Sequence, residues 1–263
     1  MSIQSQMAAV SARFNADHDY WQKIYNAADE DGYVFRMRVG LATDLCRRHM
    51  PAPGRALDLG CGCGQGTREL ARLGHDALGV DIAPAMIDRA RQDASRAGLS
   101  DCCRFECGDF STLDLPAGGF DVITALGFIE YFDDPGQVLA RMRDWLSDSG
   151  ILILQVSNRC RLPYLLTGRH REPRQRNGSG LNCRLFSPGD IADLARNCGL
   201  RRIDYRGHSF GPLKLAGHFI PGWRASMWID RQLDRLAAIP ALRSIGRVGV
   251  SFLSVFRKCA PGA

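Results

Sequence analysis

Lysine is almost missing from this chain. Only Lys23, Lys214 and Lys258 occur, so a net charge of +6 and an isoelectric point near 8.9 rest on arginine. A composition bias explains that as well as a polyanionic partner does. No nucleic-acid module accompanies the basic residues, and no nucleic-acid partner is expected. A long apolar run is also missing. The first residues lack the charged region and apolar core of a secretory signal, which argues against export. The most apolar later stretch, Pro212 to Phe256, is broken by Lys214, Arg224, Asp230 and further charges up to Arg247, which excludes a bilayer span. A soluble protein, at most in weak contact with a membrane surface, is expected. The ten cysteines include no C-x-x-C pair and no histidine at zinc spacing, so no metal site is expected. In 263 residues that are 45% hydrophobic they read as reduced thiols in the cytoplasm rather than a disulfide framework.

What is present is a change of rhythm. Residues 1–50 read as an N-terminal helical cap, with Trp21, Ile24, Tyr25 and Ala28 on one helix face and Val34, Met37, Leu41 and Leu45 on a second. The prolines and glycine of Pro51 to Gly54 end it. From Arg55 short apolar runs alternate with amphipathic helices, the pattern of βαβ units and a parallel sheet. Strands are predicted at Arg55–Leu59, Asp76–Asp81, Cys103–Cys107, Phe120–Ala125, Ile151–Val156, Arg202–Ser209 and Val248–Arg257. The helix after the second strand opens at Pro84, presents Met86, Ile87 and Ala90, and stops at Gly98. Ser187-Pro188 announces another helix by its cap and first-turn proline. The fold class is therefore α/β: a doubly wound, mostly parallel seven-strand sheet with helices on both faces, built from residues 51–263. That unit carries a basic loop over 159–184 and a helical, lid-like insertion over 212–245.

The chemistry concentrates in Leu57-Asp58-Leu59-Gly60-Cys61-Gly62-Cys63-Gly64, between a strand and a helix. Glycines there let the backbone turn sharply and approach a ligand closely, and Asp81 ends the next strand, where a carboxylate can accept both hydroxyls of a ribose. A nicotinamide dinucleotide is the rival ligand, because Asp81 serves it equally well.

The arrangement resembles the class I, seven-strand S-adenosylmethionine-dependent methyltransferases over about Arg55 to Asn158. In that family an acidic residue precedes Gly-x-Gly-x-Gly, as Asp58, Gly60, Gly62 and Gly64 do here, with Cys61 between the first two glycines. The resemblance implies S-adenosylmethionine as cofactor. The glycine loop would lie beside its methionyl part, Asp58 would orient the loop or the cofactor amine, Asp81 would bind ribose, and Ile82 would touch adenine. Asp109, followed by Phe110, would accept from the adenine amino group, and the end of the fourth strand at Leu126 would run under the cofactor with Met86 nearby. Gly-x-Gly-x-Gly, Asp58 and Asp109 favour this over the phosphate-binding rhythm of a dinucleotide enzyme.

The substrate side is less legible. Ala125-Leu126-Gly127-Phe128 stands where DNA amino-methyltransferases carry Asn/Asp-Pro-Pro-aromatic, whereas Phe128 to Phe132 resembles family members acting on small molecules. A small-molecule acceptor is implied, most simply a hydroxyl oxygen of an apolar or amphipathic metabolite. RNA or protein methylation and an oxidoreductase remain the alternatives. Glu130 and Tyr131 border the expected transfer site. His18, His170, His208 and His218 lie in segments that could cap the cleft, and no catalytic residue is assigned. Tyr20, Trp21 and Tyr25 stand where relatives fold helices over the cofactor.

Overall fold

A computed structural model describes residues 10–12, 14–16, 30–161, 165, 174–176, 182–210, 214–215, 218–219 and 223–259. Trp21, Ile24, Ala28, Tyr20, Tyr25, His18 and His170 lie outside them, as do the side chains of Val34 and His218.

Helix α1 (Glu30–His49) leads into β1 (Arg55–Leu59), α2 (Gln65–Arg72), β2 (Asp76–Asp81), α3 (Pro84–Arg96) and β3 (Cys103–Cys107). The chain then returns to β4 (Phe120–Leu126), α4 (Pro135–Trp145) and β5 (Leu146–Ser157). After the short strands β6 (Arg174–Arg176) and β7 (Asn182–Arg184) come α5 (Pro188–Asn197), β8 (Leu200–His208), the paired β9 (Lys214–Leu215) and β10 (His218–Phe219), α6 (Trp223–Ala238) and β11 (Ser251–Lys258). The seven-stranded sheet runs β3-β2-β1-β4-β5-β11-β8, with β11 antiparallel to β5 and β8. The fold class is the one the residue pattern implied. Winding outward to β3 and then restarting at β4 opens a crevice beyond the carboxyl ends of β1 and β4, where ligands of such sheets bind.

Alternation along the strands divides the core. Leu57, Leu59, Leu152, Leu154 and Val156 face α4 and α5, packing on Leu139, Met142, Trp145 and Ile191. Ala56, Val122, Ile151 and Ile153 face α1, α2 and α3, packing on Leu45, Cys46, Leu70 and Ile87. Burial on both faces is what a parallel sheet demands of its central strands. Polar side chains fix the frame at its rim. Asp121 accepts from the Arg55 N–H at 3.0 Å and from the Ser147 hydroxyl at 2.9 Å, tying the starts of β1, β4 and β5. Asp204 on β8 meets His49 Nε2 at 2.9 Å and Arg48 Nη1 at 3.4 Å, anchoring the end of α1. Ser187 and Asp190 form a reciprocal capping box at the start of α5.

Four local expectations need correction. β5 begins at Leu146, directly after α4, rather than at Ile151, and residues 147–150 form an irregularity in its pairing with β4: Phe120 pairs with Leu146, but Val122 pairs with Ile151. The last strand starts at Ser251, because residues 240–248 wind as a 3₁₀ helix. Within 212–245 the short ladder β9–β10 precedes α6, and within 159–184 an antiparallel ladder joins β6 to β7. Two-residue and three-residue strands carry too little alternation to be read from sequence.

Candidate functional site

The glycine loop is built on two carbonyls. Gly60 and Cys61 both donate their N–H groups to Val80 O, at 2.8 and 3.1 Å, and Gly64 N–H closes the turn on Cys61 O at 2.9 Å. Such a path requires left-handed backbone at alternate residues: φ is +67° at Gly60, +53° at Gly62 and +72° at Gly64. A Cβ at Gly64 would stand 2.5 Å from the Phe105 ring, so that glycine is also a packing requirement. At Gly62 nothing lies within 4 Å of where a Cβ would stand. The middle glycine faces open space at the crevice.

Asp81 joins this loop to β2. Its Oδ2 accepts from Gly62 N–H at 2.8 Å and its Oδ1 from Ala83 N–H at 2.9 Å. Desolvation pushes the carboxyl above its ordinary range, while the N–H groups of Ala83, Gly62 and Ile82 pull the other way. Each oxygen keeps a lone pair, so the group can still receive hydroxyl donors. Asp58 is differently placed. Thr67 Oγ1 donates to its Oδ2 at 2.8 Å and Thr124 Oγ1 to its Oδ1 at 2.7 Å, and the side chain is buried. Asp58 differs from Asp81 in its burial, and its two oxygens tie Thr67 of α2 to Thr124 of β4 behind the glycine loop. Neither threonine was singled out in the sequence; a hydroxyl in a buried strand (Thr124) and one on the buried face of α2 (Thr67) were the signals.

The remaining expected residues fall around this centre. Ile82, half-buried, continues from Asp81. Met86 is buried with Cys63 and Ala83, its sulfur 3.5 Å from Cys63 Sγ, and Cys61 is buried beside Gly79. Asp109 caps a 3₁₀ turn, its Oδ1 accepting from Ser111 N–H at 2.8 Å. Phe110 turns inward into an aromatic cluster with Phe128, Phe132 and Trp145, all at ring separations of 5.3–5.4 Å. Leu126 ends β4 half-buried. An N-terminal cover over the crevice is expected from Tyr20, Trp21 and Tyr25, which lie outside the described residues, whereas the contacts described come from Ser11 and Phe14. Ser11 Oγ donates to Ile82 O at 3.2 Å, and Phe14 packs against Cys63, Ala83 and Met86 on one side and against the Tyr131 ring, 5.9 Å away, on the other.

Beyond β4 the chain passes close to the glycine loop: a Cβ at Gly60 would meet the Phe128 ring at 2.7 Å. Glu130 follows, buried, with Oε1 accepting from Ser157 N–H. Burial raises its pKa, against the Ser157 bonds and the charge of Arg38. Among the candidate histidines, His208 is excluded as a cleft base. It is wholly enclosed between Ser209 Oγ at 3.0 Å and Ser251 Oγ at 3.1 Å, and desolvation pushes its pKa down to about 3.

Comparison with known proteins places this geometry. Residues 57–154 match the family model described as a methyltransferase domain. A ubiquinone biosynthesis O-methyltransferase from Cereibacter sphaeroides is 31% identical over 60% of this chain and 65% of its own length, so the match spans just under two thirds of that relative. One from Methylococcus capsulatus is 28% identical over 74% of this chain and 82% of its own. Among solved structures, magnesium protoporphyrin IX methyltransferase from Synechocystis with bound S-adenosylhomocysteine superposes with a TM-score of 0.66 at 16% identity, covering 95% of this chain and 99% of that one. A [4+2]-cyclase superposes with a TM-score of 0.64 at 18% identity, over 95% and 96% of the two chains, so the fold alone does not fix the reaction. Strand order, glycine loop and acidic strand end match the Rossmann-like fold of these methyltransferase structures. Over residues 57–154 the chain is similar to the class I S-adenosylmethionine-dependent methyltransferases.

Proposed function

We propose that this protein transfers the methyl group of S-adenosylmethionine to a hydroxyl oxygen of an apolar or amphipathic small molecule. The observation that carries the reading is the coupling of Gly62 to Asp81 at the crevice, an open glycine beside a carboxylate with lone pairs to spare. Those two features fit an adenosyl ligand: Asp81 would hold the ribose, Ile82 would border the adenine, and Asp109 would offer its second carboxylate oxygen to the exocyclic amine. Gly60 to Gly64 would lie along the methionyl chain, with Asp58 holding the loop and Leu126 and Met86 closing the walls. The cofactor supplies an electrophilic methyl on sulfur. The protein's work is to align the acceptor with it and keep water out, and the strap that carries Ser11 and Phe14 serves the second purpose.

An oxygen acceptor is supported by the O-methyltransferase relatives, which act in ubiquinone biosynthesis. Ten free cysteines suit a reducing compartment, the cytoplasm. Among the described residues no helix is long and apolar enough to cross a membrane. Exposed Trp228, Leu236, Ile239 and Leu242, beside Arg231 and Arg235, would let the protein rest weakly on an anionic lipid surface, where an amphipathic acceptor gathers.

Calorimetry with S-adenosylhomocysteine and NAD, followed by transfer of labelled methyl from S-adenosylmethionine to a panel of phenols, quinols, RNA and protein, tests the reading. Homocysteine-product binding without a dinucleotide signal, and label in the hydroxylated compounds, is the expected result. Dinucleotide binding alone would turn the site into that of an oxidoreductase.

A further inference from the structure

Three polar side chains from separate elements converge just past β4, and neither the cofactor nor the frame of the fold uses them all. Gly127, with φ +69°, makes the turn, its N–H bonded to Gln155 O at 3.0 Å. A Cβ at this glycine would lie 3.1 Å from Arg38 Nη1, 3.6 Å from Gln155 Oε1 and 3.9 Å from Glu130 Oε2. Arg38 comes from α1, Glu130 from the turn after β4 and Gln155 from β5. One residue further on, the Phe128 ring covers Gly60, which sets the trio beside the loop that would hold the cofactor.

Gln155 is the unusual member. It interrupts Ile151, Leu152, Ile153, Leu154 and Val156 in a buried strand, is only 5% exposed, and its Oε1 has no hydrogen-bond partner. A buried acceptor left unmatched costs about 1–3 kcal/mol, which a leucine at this position would avoid. Glu130 is held at one oxygen by Ser157 N–H, leaving Oε2 on the side of Gly127 and Arg38. The set therefore offers two acceptors and one cation around one point, the complement of a hydroxyl that is about to lose its proton.

Resting on the proposed function, we infer that Glu130 is the general base of the reaction, that Gln155 Oε1 shares the acceptor's single hydroxyl hydrogen with Glu130 and so orients it before transfer, and that Arg38 faces the oxygen as charge develops on it. As the acceptor oxygen forms its bond to the methyl carbon, the carbon–sulfur bond breaks and its electron pair stays on sulfur. The hydroxyl proton passes to Glu130 Oε2, giving a carboxylic acid that later returns the proton to water. The ligand class is a hydroxylated compound whose O–H is presented edge-on to Gly127.

The test uses the full chain and its E130Q and Q155L variants, with S-adenosylhomocysteine binding by calorimetry, thermal melting, and labelled-methyl transfer with hydroquinone as probe. All three proteins should bind S-adenosylhomocysteine within about twofold of one another. E130Q should lose roughly 100-fold or more in kcat, the range of a lost general base, together with the acid limb of the pH profile. Q155L should raise the KM for hydroquinone about tenfold and raise Tm by roughly 2–4 °C, because an unmatched buried acceptor has gone. Transfer by E130Q at the parent's rate, including equal failure of both, overturns the inference. A Q155L protein with unchanged KM and lowered Tm does so too, by making Gln155 structural, and this arm stands even if E130Q folds poorly. A parent that binds S-adenosylhomocysteine but fails these comparisons removes this inference alone. A parent that binds none removes the proposed function with it.

Discussion

The N–H of Gly62 and the carboxylate of Asp81 are one unit, 2.8 Å apart across the carboxyl ends of β1 and β2. Anything that alters Asp81 therefore acts twice, on a ligand's hydroxyls and on the loop that borders it. Asp81→Asn sets an amide N–H₂ against the N–H of Gly62 or Ala83, donor facing donor. Charged hydrogen bonds of this kind contribute about 1.5–3 kcal/mol, so Asp81→Asn and Asp81→Ala should bind S-adenosylhomocysteine roughly 10- to 100-fold more weakly by calorimetry, with the circular dichroism of the parent. Parental affinity in a folded Asp81→Ala protein would remove the ribose role.

Asp58 should behave in the opposite manner. Its carboxylate is met by Thr67 and Thr124 within the core, so the effect of losing either hydroxyl falls on stability. Thr67→Val and Thr124→Val keep side-chain volume and leave a buried carboxylate oxygen unmatched, at about 1–3 kcal/mol each. Denaturant unfolding should show that loss, while affinity for S-adenosylhomocysteine changes less than in Asp81→Asn. The reverse order of effects would make Asp58 a ligand-contacting group.

How much of this was legible follows from range. Strands such as Arg55–Leu59 and Asp76–Asp81 show in sequence because a parallel strand buried on both faces needs an apolar run bounded by turn residues. The glycine loop shows because positive φ at Gly60, Gly62 and Gly64 leaves little choice of residue. Arg38, Glu130 and Gln155 do not show as a set, since 92 and 25 positions of chain separate residues that only the sheet brings together. Gln155 did leave a local trace, a single polar side chain in an otherwise apolar strand. His208 misled for the same reason: its fate depends on Ser251, which lies beside it only through pairing of β8 with β11.

Enclosure of His208 makes a statement about acid. Its pKa is about 3 in the folded protein against an ordinary 6.5, so between those values the unfolded chain binds the proton more readily. The stability it allows is complete above about pH 6.5 and is lost as pH falls toward 3. The raised carboxyls of Asp58, Asp81 and Glu130 have the opposite sign, because they bind protons more readily when folded. Comparing parent with His208→Asn isolates the histidine: the dependence of unfolding free energy on pH between 6 and 4 should lose up to about 1.4 kcal/mol per pH unit, one proton's worth. Identical slopes would mean that His208 is protonated in the folded state.

The face of α6 yields the last test. Trp228 is 63% exposed and Ile239 45%, with Arg231 and Arg235 also exposed, so the helix and the turn after it mix an interfacial aromatic, aliphatics and fixed positive charge. Each arginine near an anionic surface contributes about 1 kcal/mol, and that part is screened by salt. Sedimentation with phosphatidylglycerol vesicles should therefore pull down a fraction of the protein at low ionic strength. Release should follow at high salt, and zwitterionic vesicles should bind much less. Trp228→Ala and Arg235→Ala should each weaken retention several-fold while binding of S-adenosylhomocysteine is kept, because α6 packs chiefly on β8 and the 3₁₀ helix that follows it, at the far edge of the sheet from the glycine loop. Equal sedimentation with anionic and neutral vesicles, or none with either, would reduce the exposed row to ordinary surface and leave a hydrophobic acceptor to arrive through solution.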